Sequence, residues 1–111
     1  MWTTGRENSL NLLETNSTPL LGGTAYTTAT FEVQDYAYLI GSVLADQAGT
    51  LFAEFSEDGS TWPASANVVY NASDPLGWKV PVLAPYSRFR FVNGVAAQGS
   101  FVFTLRASIN G

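Results

Sequence analysis

The sequence predicts an all-β fold: an antiparallel, jelly-roll-like β-sandwich of seven or eight strands with an extended N-terminal arm. From Thr24 onward, β-branched and aromatic residues come in short runs that turn residues separate about every 8 to 12 positions. No helix of useful length is indicated. The 111 residues are 46% hydrophobic and 14% aromatic, enough to form one core. We therefore expect an arm at residues 1–23 and a sandwich domain at residues 24–111.

The predicted strands follow the alternation of apolar and polar residues and are, in order, Ala25–Val33, Tyr36–Leu44, Thr50–Ser56, Asn67–Tyr70, Trp78–Leu83, Tyr86–Asn93 and Ser100–Ser108. The last strand alternates cleanly from Phe101 to Ala107, which predicts that one of its faces is buried. Prolines flank or interrupt Trp78–Leu83, which indicates an edge strand because proline lacks the N–H that a central ladder needs.

Two turns favour antiparallel neighbours, one at Glu57-Asp58-Gly59-Ser60 and one at Asn93-Gly94. If the second turn joins the last two strands as a hairpin, Arg106 lies near Arg88 and Arg90.

The arm carries two short apolar groups before a Gly22-Gly23 break: Leu10, Leu12 and Leu13, then Leu20 and Leu21. One interpretation is a flexible terminus. The other is a docking segment that buries these leucines against an adjacent subunit.

Several classes of function are disfavoured by composition. The chain has no cysteine and no histidine, which excludes thiolate nucleophiles, Cys/His zinc sites and imidazole catalysis. Nine acidic and five basic residues give a net charge of −4, the wrong sign for binding a phosphate backbone. No apolar run is long enough to span a membrane. We expect a protein that is not an enzyme, has no cofactor, and binds neither nucleic acid nor membrane.

The acidic residues leave two minor possibilities. Glu54, Glu57, Asp58 and Asp74 are the candidates for a paired-carboxylate site, and Asp46 joins the last three as a candidate calcium ligand. No D-x-D-x-D-G pattern is present, and solvated loop acids explain the same residues.

Arginines and tryptophans give the candidate binding residues. Alternation places Arg88 and Arg90 on one face, where with Tyr86 and Arg106 they form either an intersubunit contact or a solvated face paired to Glu54 or Glu32. Trp62 and Trp78 are candidates for stacking on a sugar ring, or for packing in a core or interface.

The stretch from Gly41 to Arg106 resembles small β-sandwich virion proteins of tailed bacteriophages. The matching residues are an S-x-D-G-x-x-W turn and a strand that opens A-P-Y-x-R-x-R-x-x-N-G: Ser56, Asp58, Gly59, Trp62, Ala84, Pro85, Tyr86, Arg88, Arg90, Asn93 and Gly94. The first of these patterns is also similar to discoidin-type carbohydrate-binding jelly rolls, although their usual terminal cysteines are missing.

The phage resemblance implies a non-enzymatic virion protein, such as a capsid decoration or cement protein, that is assembled in the host cytoplasm. Its expected partners are capsid or tail proteins and its own copies, for example in a trimer. The expected interface residues are Leu10, Leu12, Leu13, Leu20, Leu21, Tyr86, Arg88, Arg90 and Arg106. The alternative is a carbohydrate-binding module of a tail or fibre that uses Trp62 or Trp78.

Overall fold

The computed structural model describes residues 10–109, which form nine strands and no helix. The strands are β1 (Leu10–Asn16), β2 (Ala25–Thr27), β3 (Phe31–Glu32), β4 (Tyr38–Ala45), β5 (Gly49–Ser56), β6 (Ala64–Tyr70), β7 (Leu76–Pro81), β8 (Tyr86–Asn93) and β9 (Phe101–Ser108). The predicted all-β sandwich is confirmed, with more strands than the expected seven or eight.

The strands form two antiparallel sheets. The four-stranded sheet has the order β1-β9-β4-β7, and the five-stranded sheet has the order β2-β8-β5-β6 with β3 also paired to β8. The edge position predicted for the Trp78 strand is confirmed, because β7 ends the first sheet.

The expected hairpin at Asn93-Gly94 is wrong, because β8 and β9 lie in different sheets. The chain leaves β8 at Gly94, whose N–H donates to the carbonyl of Ala48 and whose carbonyl accepts from Gly23. These bonds direct the chain across the end of the sandwich instead of back along β8. Arg106 is consequently on the opposite sheet from Arg88 and Arg90.

Part of the expected arm is a strand of the sandwich. Leu10–Asn16 pairs with β9, and the register shifts between Leu12 and Glu14, which marks a β-bulge. Residues 10–16 therefore belong to the four-stranded sheet, and the domain does not begin at residue 24 as expected. Residues 1–9 of the predicted arm lie outside the described residues.

The core lies between the inner faces of the two sheets and is rich in aromatic rings. Phe101, Phe103, Leu105 and Ala107 are buried, which confirms the alternation predicted for the last strand. The Phe103 ring contacts Trp78 from β7, and Trp78 stacks on Phe89 from β8 at 5.5 Å between ring centroids. These rings join the two sheets.

Candidate interaction surfaces

The outer face of the four-stranded sheet exposes an unusual number of apolar side chains. Leu10, Leu12, Leu44 and Val102 are each between 44% and 57% exposed. Register places Leu44 opposite Val102, and Leu12 opposite Arg106, which in turn lies opposite Ile40. We call this surface, defined by Leu10, Leu12, Leu44, Val102 and Arg106, the docking face.

Charge on the docking face is of one sign. Arg106 is its cation, and Lys79 of β7 lies beside it on the same outer face, opposite Ile40. The Lys79 ammonium lies 4.3 Å from the centroid of the Tyr38 ring. The described strands β1, β9, β4 and β7 present no carboxylate on this side. Among residues 10–109 the ion pairs involve Glu54 alone, so neither cation has a carboxylate partner there. A basic, partly apolar face on a chain of net charge −4 is suited to an acidic partner surface.

The outer face of the five-stranded sheet holds the other predicted arginines. Arg88 and Arg90 lie on one face, as predicted, and both pair with the carboxylate of Glu54 on β5, at 2.7 and 3.4 Å. The Glu54 residue is only 7% exposed, so its charge is compensated within the fold. These ion pairs match the predicted alternative in which the arginines pair within the chain, and they leave both side chains less available to a partner.

Aromatic rings flank this ion-pair cluster on both sides. The Arg88 guanidinium lies over the Trp62 ring and that of Arg90 over the Phe52 ring, each at 4.4 Å from the centroid. One face of Trp62 is therefore covered by Arg88. Tyr86 borders the same cluster, opposite Ser56 of β5.

The turn that contains Asp58 is fixed by hydrogen bonds. The backbone N–H groups of Thr61 and Ser60 and the hydroxyl of Ser56 donate to the Asp58 carboxylate, each at 2.9 Å. These bonds favour the ionised form and lower the pKa of Asp58 to about 2. Gly59 follows at φ 80°, a conformation that glycine adopts without strain.

The predicted arm leucines separate into two groups. Leu13 and Leu20 pack against the chain's own core, and Leu20 is held by Gln98 through two 2.8 Å hydrogen bonds to its backbone. Leu10 and Leu12 are on the docking face, and Leu21 is exposed in the turn before β2. Two of the five leucines thus join Arg106 on one surface.

An apolar cleft of about 300 Å³ opens between the sheets along β6 and β7. It is lined by Ala66 and Val68 from β6, by Leu76, Trp78 and Val80 from β7, and by the core residues Leu51 and Phe89. Sequence reasoning missed this cleft, because it forms where β6 and β7 are the edges of facing sheets. The Trp78 ring is engaged with Phe89, and its buried Nε1 has no hydrogen-bond partner among the described residues. This placement favours core packing over the sugar-stacking role considered for Trp78.

The opposite side of the sandwich, along β1 and β2, is closed. The Tyr26 hydroxyl donates to the Glu14 carboxylate, which also accepts from the backbone N–H of Ala29 at 3.0 Å. Burial, followed by the hydrogen bond to Glu14 and its charge, raises the pKa of Tyr26. The Tyr26 ring packs edge-on against Phe101 and Phe103. Sequence reasoning did not find this pair, because it placed Glu14 in the arm and not in a strand of the sandwich.

The candidate acidic residues are scattered. Glu54 is used by the arginines, Asp58 by its own turn, and Asp46 accepts from the backbone of Gly99 at 2.9 and 3.0 Å. Among residues 10–109 no three potential ligands are grouped closely enough to hold a metal ion. Within the same range, no helix is long and apolar enough to cross a membrane.

Comparison with known proteins relates the chain to a protein of a phage-like element. It is 39% identical over 64 residues to the phage-like element PBSX protein XepA of Bacillus subtilis (strain 168), a match that covers 56% of this chain and 23% of XepA. The crystal structure of PBSX exported protein XepA superposes with a TM-score of 0.76 at 27% identity over 94% of this chain and 38% of that chain. The chain thus spans well under half the length of XepA.

Two further structures share the fold alone. A Bacillus endospore appendage pilus protein matches at a TM-score of 0.54 and 17% identity, covering 91% of both chains. A structure titled as a CBM4 matches at 0.55 and 9% identity, covering 96% of this chain and 84% of that chain. The family model for the N-terminal domain of the uncharacterised protein YqxG matches residues 5–108. The chain therefore belongs to the YqxG N-terminal domain family.

Proposed function

We propose that the chain is a non-enzymatic structural protein of a phage-like element, and that it decorates a capsid by binding through its docking face. The relationship to XepA of the phage-like element PBSX supports the first part. Three of the candidate carboxylates are used in an ion pair, a turn or a backbone contact, which supports a protein that docks and does not transform a substrate: Glu54, Asp58 and Asp46.

The exposed apolar side chains of the docking face carry the second part. Complete burial of a leucine or valine is worth roughly 1.5 to 3 kcal/mol, so four side chains that are about half exposed offer about 4 kcal/mol before ordering costs. A single contact of this size is weak. On a symmetric particle, several linked copies would each contribute such a contact, and together these contacts would be sufficient for stable binding.

Cosedimentation with purified phage-like particles, from the strain that carries the gene, tests the proposal. Leu12→Asp places a carboxylate in the apolar surface beside Arg106, and we expect binding to fall at least tenfold. Val95→Asp is the matched control, because Val95 is 98% exposed in the loop between β8 and β9, outside the docking face, and its replacement should leave binding unchanged.

Salt concentration distinguishes the electrostatic part of the contact from the apolar part. Arg106→Ala should weaken binding at low salt and make the remaining binding less sensitive to salt, because the unpaired cation is removed. Full particle binding by Leu12→Asp would refute the docking face. Absence of the wild-type protein from every particle fraction would refute the decoration role.

A further inference from the structure

The two sheets have four outer edges, and three of them carry features that prevent pairing with another chain. β1 contains the bulge between Leu12 and Glu14. β2 and β3 are only three and two residues long. β7 carries Lys79 and ends at Pro81. Short strands, bulges, lysine and proline are the devices by which soluble proteins block edge-to-edge association.

The fourth edge, β6, has none of these features. Its seven residues, ASANVVY, include no charge, no proline and no glycine, and its register with β5 is regular throughout. In the part of the chain that the structure describes, no strand pairs with its other side. Six of its seven residues are exposed, with Val68 at 42% and Val69 at 69%. β6 is therefore an open template for another strand.

The cleft next to β6 provides space for the inward side chains of an added strand. Any strand that extends the five-stranded sheet beyond β6 would direct alternate side chains toward Leu76, Trp78 and Val80 of β7. The lining is apolar, so the cleft is suited to small apolar side chains and offers few hydrogen bonds to a sugar.

We propose that β6 pairs in antiparallel orientation with β6 of a second copy, which joins two five-stranded sheets into one continuous sheet. With the two-fold axis at Asn67, Ala66 of each copy lies opposite Val68 of the other on the inner face, and Ser65 lies opposite Val69 on the outer face. The strand is thus complementary to itself, as a two-fold interface requires.

Charge favours the second copy at this position. Two chains of net charge −4 repel each other, and they can approach most closely where neither carries a carboxylate. β6 and the residues that line the cleft are all uncharged. The interface is small, so we expect a dimer that forms at micromolar concentrations rather than an obligate one.

This inference does not depend on the proposed function, because β6 and the docking face are on different sheets. The two proposals also fail separately. Val69→Lys should weaken the dimer and leave a monomer that can still bind particles. Leu12→Asp should weaken particle binding and still form dimers.

The absence of cysteine from the chain allows a direct test by single-cysteine crosslinking of the full-length protein. Separate Ser65→Cys, Asn67→Cys and Val69→Cys variants are oxidised under mild conditions and resolved on a non-reducing gel. We expect disulfide-linked dimer to form fastest with Asn67→Cys, which faces itself across the axis. The crosslinking rate of Val95→Cys measures random collision between copies. The crosslinking rate of Leu12→Cys measures any dimer that forms through the docking face.

A second measurement does not depend on oxidation. Light scattering on a concentration series of the wild-type protein should show a monomer–dimer equilibrium, and Val69→Lys should shift its midpoint at least tenfold toward monomer. Val95→Lys controls for the added charge, and circular dichroism confirms that each variant folds. A wild-type monomer at every concentration would overturn the proposal, as would Asn67→Cys crosslinking no faster than Val95→Cys or slower than Leu12→Cys.

Discussion

Gly41 on β4 lies directly beneath the indole of Trp78. A β-carbon added at Gly41 would lie 2.2 Å from Cζ2 and 2.6 Å from Cε2 of Trp78, and 2.7 Å from the carbonyl oxygen of Thr104. Non-bonded carbon atoms prefer separations of about 3.5 to 4 Å, so the ring would have to move by more than about 1 Å. It has little room, because it stacks on Phe89 and contacts Phe103.

Gly41→Ala should therefore destabilise the fold. Overpacking of this kind typically costs about 1 to 3 kcal/mol, and the better strand preference of alanine recovers about 0.5 to 1 kcal/mol. We expect a net loss of about 1 kcal/mol in the free energy of unfolding, measured by urea denaturation with circular dichroism and tryptophan fluorescence.

Gly77→Ala on the neighbouring strand is the matched control. A β-carbon at Gly77 would meet only the carbonyl oxygen of Gly41, at 3.8 Å, so we expect no loss and a gain of about 0.5 to 1 kcal/mol from the better strand preference of alanine. Replacing Trp78 by Leu in the Gly41→Ala background should recover part of the loss, because the two residues share one contact. A Gly41→Ala protein as stable as the wild type, with an unchanged urea dependence, would show that this account of the packing is wrong.

Three further predictions concern polar groups. Glu54→Gln should lower the free energy of unfolding by about 1 to 2 kcal/mol, because it removes the charge that Arg88 and Arg90 share. The loss should be smaller in high salt. Glu57→Gln in the exposed turn is the control and should have little effect. The pKa of Asp58 is lowered from 3.8 to about 2. The ionised carboxylate therefore stabilises the fold fully above pH 3.8, and this stabilisation is lost as pH falls toward 2. Urea midpoints across this range should fall less in Asp58→Asn than in the wild type. The pKa of Tyr26 is raised above 10.0. The protonated hydroxyl therefore stabilises the fold fully below pH 10.0, and this stabilisation is lost as pH rises above that value. An alkaline absorbance titration should show a tyrosine that ionises later than the others, and Tyr26→Phe should remove this step.

The strands with clear alternation and marked ends were predictable from the sequence. β8 was predicted with its observed bounds, because Tyr86–Asn93 alternates throughout and lies between Pro85 and Gly94. The predicted strand Ala25–Val33 is divided in the structure, because the Thr28 hydroxyl accepts a hydrogen bond from the N–H of Phe89 and replaces the regular ladder. A side chain that substitutes for a backbone bond leaves no periodic signal.

β1 was missed as part of the sheet for a related reason. The bulge after Leu12 shifts the alternation by one residue, so the segment does not have the pattern of a half-buried strand. The crossing from β8 to β9 was also wrongly predicted, because Asn93-Gly94 resembles a hairpin turn and its partners, Ala48 and Gly23, are distant in sequence.

The candidate surfaces were predictable only in part. Alternation was enough to place Arg88 and Arg90 together, and both pair with Glu54, the partner that one of the two interpretations named. The docking face depends on β1 and β9 being neighbours, and the cleft depends on β6 and β7 being the edges of facing sheets. Both are properties of strand order, which local sequence patterns do not determine.

The position of β1 gives the proposed attachment through the docking face a dependence on one edge strand. Leu10 and Leu12 lie at the surface on a strand that pairs on one side only. Side-chain contacts of Glu14 with Tyr26 and of Asn11 with Tyr36 also hold this strand. Edge segments held this way open at lower free energy than the core strands do. Warming should therefore raise amide exchange in residues 10–16 before the sandwich unfolds, and under the proposed decoration role particle binding should be lost at that lower temperature.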